Sequence, residues 1–356
     1  MSKIAVPLLL ALLSMSASAG EFRALSMPGS QLAALSADGR SAAGGLIGGA
    51  SGGFRWQEGA PPRVLAHAVS VHAISASGRY VAGSSLDGGQ REVATWWDER
   101  GEPHRLGGVP GADGAAGVLS IAQGITDQPE VVGAGANGTG PVAFTWTAAR
   151  GMRALEAGAT ASAAIGISAD GRRIYGWSQS TIARQGVVWN EERPCCRFHA
   201  RDHESELVGA NRAGTILLGV ADGSAQAIAC DGRAFAPATP IIGTLPAAKF
   251  VAADDAGSLL VGSAGIGAQR SALVWTPQHG VERLQDFLAA RAIAVPAGWT
   301  LLAATAVSRD GHRLGGFGLS DGRFDSFVVD IAAVAGRMSP PSPTARSAAH
   351  PAGETP

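Results

Sequence analysis

The segment CCRFHARDHESE, beginning at Cys195, gathers more metal- and redox-capable side chains than any other stretch of this 356-residue chain. Cys195, Cys196, His199 and His203 are thiolate and imidazole donors of the kind that hold zinc. Adjacent cysteines reach one tetrahedral ion only with strain, however, and a third cysteine, Cys230, follows in ACDG. The expectation is therefore a disulfide from Cys195 or Cys196 to Cys230, with one thiol left over and no metal. Such a bond also presumes an oxidising compartment.

Other strings imitate catalytic motifs. GASGG, from Gly49, has the form G-x-S-x-G, and GAGANG, from Gly133, the form G-x-G-x-x-G. Both motifs work where a strand turns into a helix. Here they run into FRW and VAFTW, which read as strands, and 50 glycines make such matches easy to meet by chance. Asn137-Gly138-Thr139 has the form of a glycosylation sequon and is given no role. Asp38, Asp170, Asp255 and Asp310 recur in LSADG, ISADG, ADDAG and VSRDG. Paired carboxylates act as general acid and base only when they converge on one bond. At equivalent points of a repeat they form turns instead. The order resembles the Asp box of sialidases, S-x-D-x-G-x-x-W, but Asp and Gly are adjacent and no Trp follows at the right distance. The only tyrosines, Tyr80 and Tyr175, read as second-strand residues. No catalytic residue and no cofactor is assigned.

The elements that carry these residues are written as a repeat. Gly39, Gly78, Gly171, Gly214, Gly257 and Gly311 end copies of one phrase, and Gly171, Gly214 and Gly257 fall 43 residues apart. ITDQPEVVG, from Ile125, is a degenerate seventh copy. Each unit reads as a small-residue strand, an Asp-Gly type turn, a second strand reaching Gly (RRIYG, RYVAG, TILLG, SLLVG, HRLGG), a third ending in Trp (GFRW, VATWW, AFTW, GVVW, ALVW) and a fourth (RVL, HRL, MRAL, ERL). Asp-Gly between apolar runs is a strong hairpin signal, because the turn needs positive φ. Four strands in about 43 residues are the period of a propeller blade.

The expected fold is thus all-β: a seven-bladed β-propeller of four-stranded antiparallel blades. Trp56, Trp96, Trp146, Trp189 and Trp275 are expected to fill the wedges between blades. The last unit ends at FDSFVVDI without a fourth strand, and EFRALSMPG, from Glu21, resembles one. Phe22 to Leu25 should therefore complete the last blade and remove the free edge. One short helical insertion is expected near 281–293, where Leu284, Phe287, Leu288 and Ile293 fall at helical spacing.

Outside the repeat, Lys3, the apolar run from Ile4 to Leu13 and Ala17-Ser18-Ala19 read as a signal peptide over 1–19. The repeat domain is 20–331, and a Pro/Ser/Ala-rich tail over 332–356 reads as disordered. No later stretch is long and apolar enough to span a bilayer. The chain should be periplasmic or extracellular, and monomeric. With 28 basic and 29 acidic residues, lysine only at Lys3 and Lys249, and a formal net charge of −1, no basic stripe exists for nucleic acid.

The phrase A-x-S-x-D-G-x-x-x-x-G followed by A-F-x-W and G-M-x-x-L resembles the HAF-type repeats of bacterial extracellular repeat proteins. AFTW at Ala143 with GMRAL at Gly151 is the fullest unit, and GWTLLAATAVSRDGHRLGGFG, from Gly298, resembles that family's terminal repeat. The resemblance implies secretion and a β-rich repeat fold, and no known reaction. The functional expectation is an exported, non-catalytic binding or scaffolding module, its partner a protein or cell-surface glycan met by loops on one face. The alternative is a periplasmic or secreted hydrolase or lyase with its site in the central funnel. That needs ionisable residues in the first strands, where His72 is the only histidine.

Overall fold

The computed structural model describes residues 20–331 except 49–51, 111–116, 118, 137–139, 182, 199–203, 222–223, 231–234 and 240–247. The expected signal peptide and tail, and His199, His203 and Asn137-Gly138-Thr139, lie outside the described residues.

The chain is all-β apart from a few short turns of helix. Four-stranded meanders occupy 30–64, 68–107, 119–154 and 161–198, each hydrogen-bonded in chain order. Two more, 205–239 and 249–283, join into one eight-stranded sheet. The expected separation is lost because their first strands, Ser205–Asn211 and Lys249–Ala253, pair in parallel at Ala210↔Ala252 and Asn211↔Ala253. Gly209 permits it: a Cβ there would run into the Val251 backbone.

The last sheet holds Trp299–Val307, Arg313–Ser320 and Arg323–Asp330, completed on its outer edge by Glu21–Ala24. Phe22 lies opposite Val329, and the Leu25 N–H donates to the Ser326 carbonyl at 2.8 Å. The expected closing strand is therefore in place. Phe22 is fixed there by Trp299 and Phe327, both with ring centroids 5.2 Å away. A free edge with unpaired N–H and C=O groups is thereby covered.

Sheets pack face to face, and the hydrophobic clusters lie between consecutive sheets. Trp56 packs with Leu32, Ala306 and Val328, joining the first sheet to the last. Trp189 packs with Val132 and Leu155, and Trp275 with Leu218 and Ala227. The Trp189 indole N–H also donates to the Glu156 carbonyl at 2.6 Å. Indole needs such a partner once its ring is buried. These three tryptophans fill wedges, as their position in the repeat suggested, but in the second unit Trp97, buried with Ala43 and Leu65, takes that place, and Trp96 stacks instead on His104.

The helix is shorter than expected. Gly280–Arg283 is the fourth strand of its sheet, and only Leu284–Ala289 is helical. Leu284, Phe287, Leu288 and Ile293 are all buried, in the cluster with Trp299, Leu301 and Phe327. The helical spacing was real, and its apolar residues serve the wedge between two sheets.

Every turn between first and second strands is built alike. Ser36, Ser75, Thr126, Ser168, Asn211, Asp254 and Ser308 open these turns, and all are buried. Each side-chain oxygen accepts a backbone N–H from the start of the second strand, as Ser168 does from Arg173 at 3.0 Å. Asp38, Asp170 and Asp310 accept the preceding hydroxyl at 2.6 Å and a further backbone N–H. They are turn formers. Asp255 is not: Asp254 takes the serine position, so Asp255 stands one residue after the opener instead of two, out of the turn-forming role expected of it.

Candidate functional site

The first strands surround a channel whose cavity measures about 360 Å³. Each first strand carries a β-bulge, and the extra residue is Ala33, His72, Gln123, Ile165, Val208, Val251 or Thr305. All seven line the channel. A bulge re-aims one side chain and leaves it unpaired in the ladder. It also explains the repeated Gly of RRIYG, RYVAG and their relatives. Gly176 faces Ala164, the residue before the bulge, and a Cβ there would collide with the Ala163 carbonyl. The glycine sits within the second strand, Ile174–Gln179, rather than at its end.

Most of the lining is aliphatic, with His72, Gln123, Tyr175, Asn211, Arg212 and Thr305 as its polar members. Tyr175 comes from a second strand, as expected, and its ring reaches across Gly166, whose absent Cβ leaves room for the hydroxyl. Burial pushes the Tyr175 phenol up to about 12, so it is a neutral O–H donor.

At the turn end, the residue after each buried turn opener faces its neighbours around the channel. These positions are Ala37, Ala76, Asp127, Ala169, Arg212, Asp255 and Arg309. Backbone hydrogen bonds link them from sheet to sheet: Ala37 N–H to Ala76 O, Ala169 N–H to Arg212 O, Asp255 N–H to Arg309 O, and Arg309 N–H to Ala37 O, at 2.8–2.9 Å. The last of these joins the final sheet to the first. The charged members also clamp sheets. Arg309 pairs with Asp255 at 2.8 Å, and Asp127 accepts the Ser77 N–H and hydroxyl. The other Asp255 oxygen, Oδ1, is buried and has no hydrogen-bond partner among the described residues. Arg212 reaches the Ile74 carbonyl at 3.0 Å, three sheets away. Burial lowers its guanidinium from the ordinary value, opposed by Tyr175, Asp127 and Asp255. Sequence reasoning missed Asp127, Arg212 and Arg309 because the repeat phrase leaves that position variable, and it took Asp255 for a turn former.

His72 opens a hydrogen-bonded chain through blade-like packing: His72 Nε2 to Ser70 Oγ at 3.0 Å, Ser70 to Ser84 at 2.6 Å, and Ser84 to Glu92. A carboxylate only accepts, so Ser84 donates to Glu92, Ser70 to Ser84, and His72 Nε2–H to Ser70. This fixes the tautomer and turns the Ser70 hydrogen away from the imidazole. It is the reverse of an activated serine, whose proton must go to the histidine. Burial lowers the His72 value, with Glu92 opposing, so the ring is neutral at pH 7.

The cysteines lie elsewhere, in the wedge between 161–198 and 205–239. Cys196 and Cys230 are disulfide-bonded with Cα atoms 6.4 Å apart, and Cys195 is the free thiol. The three sulfurs lie within 4.8 Å of one another, but two of them are bonded together. Cys195 donates to the Val188 carbonyl at 3.4 Å, and burial raises its thiol value. Ser51 of GASGG lies outside the described residues. The first four residues of GAGANG belong to the strand Glu130–Ala136, and the next described element is the strand Pro141–Thr147, not a helix whose N-terminus could hold a phosphate.

No family model and no curated protein matches the chain. Among solved structures it is similar to the β-propeller domain of the Trilobed protease from Pyrococcus furiosus, with a TM-score of 0.54 and 9% identity, over 85% of this chain and 96% of that one. It also matches a prolyl endopeptidase (TM-score 0.49, 11% identity, 88% of this chain) and the Dos1 propeller (0.48, 9%, 87% of this chain and 94% of that one). The chain spans only 50% of the prolyl endopeptidase. The first likeness, with the sheet order above, defines the class: the chain has a β-propeller fold. At 9% identity it says nothing of activity.

Proposed function

We propose that this chain is an exported, monomeric, seven-bladed propeller of the HAF-type repeat class that binds a protein or cell-surface glycan without reacting with it. The eight-stranded sheet then counts as two blades. Export is supported by the leader-like residues 1–19 and by the disulfide, a bond favoured outside the cytosol. Among the described residues, no helix is long and apolar enough to cross a membrane.

The observation that carries the binding reading is where large apolar side chains are exposed. Ile47, Leu86, Leu119 and Ile266 are exposed, and all stand at the ends of the sheets opposite the Asp-Gly turns, where second strands finish and first strands begin. Val64, on an outer strand, is the exception. Exposed apolar groups that share one end of the sheets favour that end as the interaction surface. The charged groups at the turn end instead hold sheets together. The test is retention on envelope fractions of the source cell. An Ile47→Asp, Leu86→Asp, Ile266→Asp triple variant should lose retention while keeping its melting point, and Val64→Asp should keep both. Equal retention of all three proteins would refute the reading.

A further inference from the structure

We propose that the central channel is a binding site for a small aliphatic carboxylate, held by Arg212 and Tyr175. The site is separate from the partner face. Arg212 lines the channel, and among the described residues its guanidinium makes one hydrogen bond, from Nη1 to the Ile74 carbonyl. Among the described residues, no carboxylate lies within 4.0 Å of it. Asp127 and Asp255, the acids whose field reaches it, are already held by Ser77 and Arg309. A guanidinium offers five N–H donors in a planar fork that matches a carboxylate. The rest of that fork has no acceptor among the described residues. The Tyr175 hydroxyl lines the same cavity, lies within the electrostatic reach of Arg212 and has no hydrogen-bond partner among the described residues.

The ligand chemistry follows from the surroundings. A half-buried cation among aliphatic walls is stabilised by one negative charge placed against it. One guanidinium and one neutral phenol match a monoanion. A phosphate dianion would bring a second negative charge close to Asp127 and Asp255. In the layer of bulges, Ile165, Val208 and Val251 on three consecutive first strands give the cavity one aliphatic side, with His72, Gln123 and Thr305 completing the layer, and that side suits a short hydrocarbon tail. The volume is about a dozen times that of a water molecule, room for a ligand of about ten non-hydrogen atoms.

Isothermal titration calorimetry at pH 7 with sodium hexanoate, against 1-hexanol with the same tail, tests this. The intact protein should bind hexanoate at one site per chain, at least about tenfold more tightly than hexanol. Arg212→Met should abolish that preference, and Tyr175→Phe should weaken hexanoate severalfold while leaving hexanol unchanged. Because Arg212 also bridges two sheets, Tyr175→Phe decides the matter if Arg212→Met does not fold. No hexanoate binding, equal binding of acid and alcohol, or hexanoate binding indifferent to Tyr175→Phe would overturn the proposal. The partner-retention assay responds to none of these changes, so the two readings fail separately.

Discussion

Breaking the Cys196–Cys230 bond should destabilise the ring by an amount the loop length sets. The bond joins positions 34 apart in sequence. In the chain-entropy treatment, a loop of that length removes about 13 cal/mol/K from the unfolded chain, or about 4 kcal/mol at 25 °C. Reduction alone leaves both sulfurs in the wedge with Phe198, Leu207, Leu217 and Ile228, so no cavity opens and the loss is mainly this entropy. With a urea slope at or above the upper end of the small-domain range, about 3 kcal/mol/M, the midpoint should fall by about 1 M. The assay is urea unfolding of the wild type with and without reductant, beside Cys195→Ser and Cys196→Ser. Wild type and Cys195→Ser should both lose about 1 M on reduction. Cys196→Ser should start low and ignore reductant. Unfolding without reductant should expose one titratable thiol per chain. Reductant-insensitive wild type, or a Cys195→Ser protein that alone behaves as reduced, would refute the pairing and the blade contact that produces it.

Two further outcomes follow from the same geometry. Gly44 and Gly45 are neighbours in the strand Ser41–Leu46, yet a Cβ at Gly44 meets the Gln31 carbonyl and Leu32 Cα, whereas one at Gly45 meets nothing nearer than 3.9 Å. Gly44→Ala should therefore cost about 1–3 kcal/mol as overpacking, and Gly45→Ala should be neutral or stabilising, both read by denaturant midpoints. His72 should titrate below its ordinary 6.5 when followed by NMR of its ring protons. Stability held by the neutral ring is fully present above pH 6.5. It is lost as pH falls from there through the lower folded value, because the unfolded chain then binds the extra proton. His72→Gln should flatten that slope, and an unshifted titration would contradict the burial of the ring.

What was legible in the sequence was whatever backbone geometry demands at every repeat. Gly39, Gly78, Gly171, Gly214, Gly257 and Gly311 all have positive φ, between 64° and 77°, and only a residue without a side chain enters that region freely. Tryptophan near the end of the third strand announced the wedges, although in the doubled VATWW it is Trp97 and not Trp96 that enters one, and EFRAL announced the closing strand by its likeness to GMRAL. What stayed hidden was set by contacts between units. Asp255 looked like one more turn residue until the buried Asp254 took the serine's role. Asp127, Arg212 and Arg309 occupy a variable position, so no pattern marked them as facing one another across the channel. The bulges were invisible as well, although the glycines of RRIYG and RYVAG were their trace: a close approach leaves the same letter as a turn. Tyr175 reaches the channel only because Gly166 stands opposite, a relation between strands that spacing along the chain does not express.

Closure of the ring by Glu21–Ala24 can be read directly from amide exchange. Hydrogen–deuterium exchange of the native protein, followed by mass spectrometry, should show peptides spanning 21–25 protected to the same degree as those spanning 323–330, since the two strands share one ladder. Exchange of 21–25 at the rate of an exposed loop, with 323–330 still protected, would mean that the amino end is not part of the last sheet and that the ring is open.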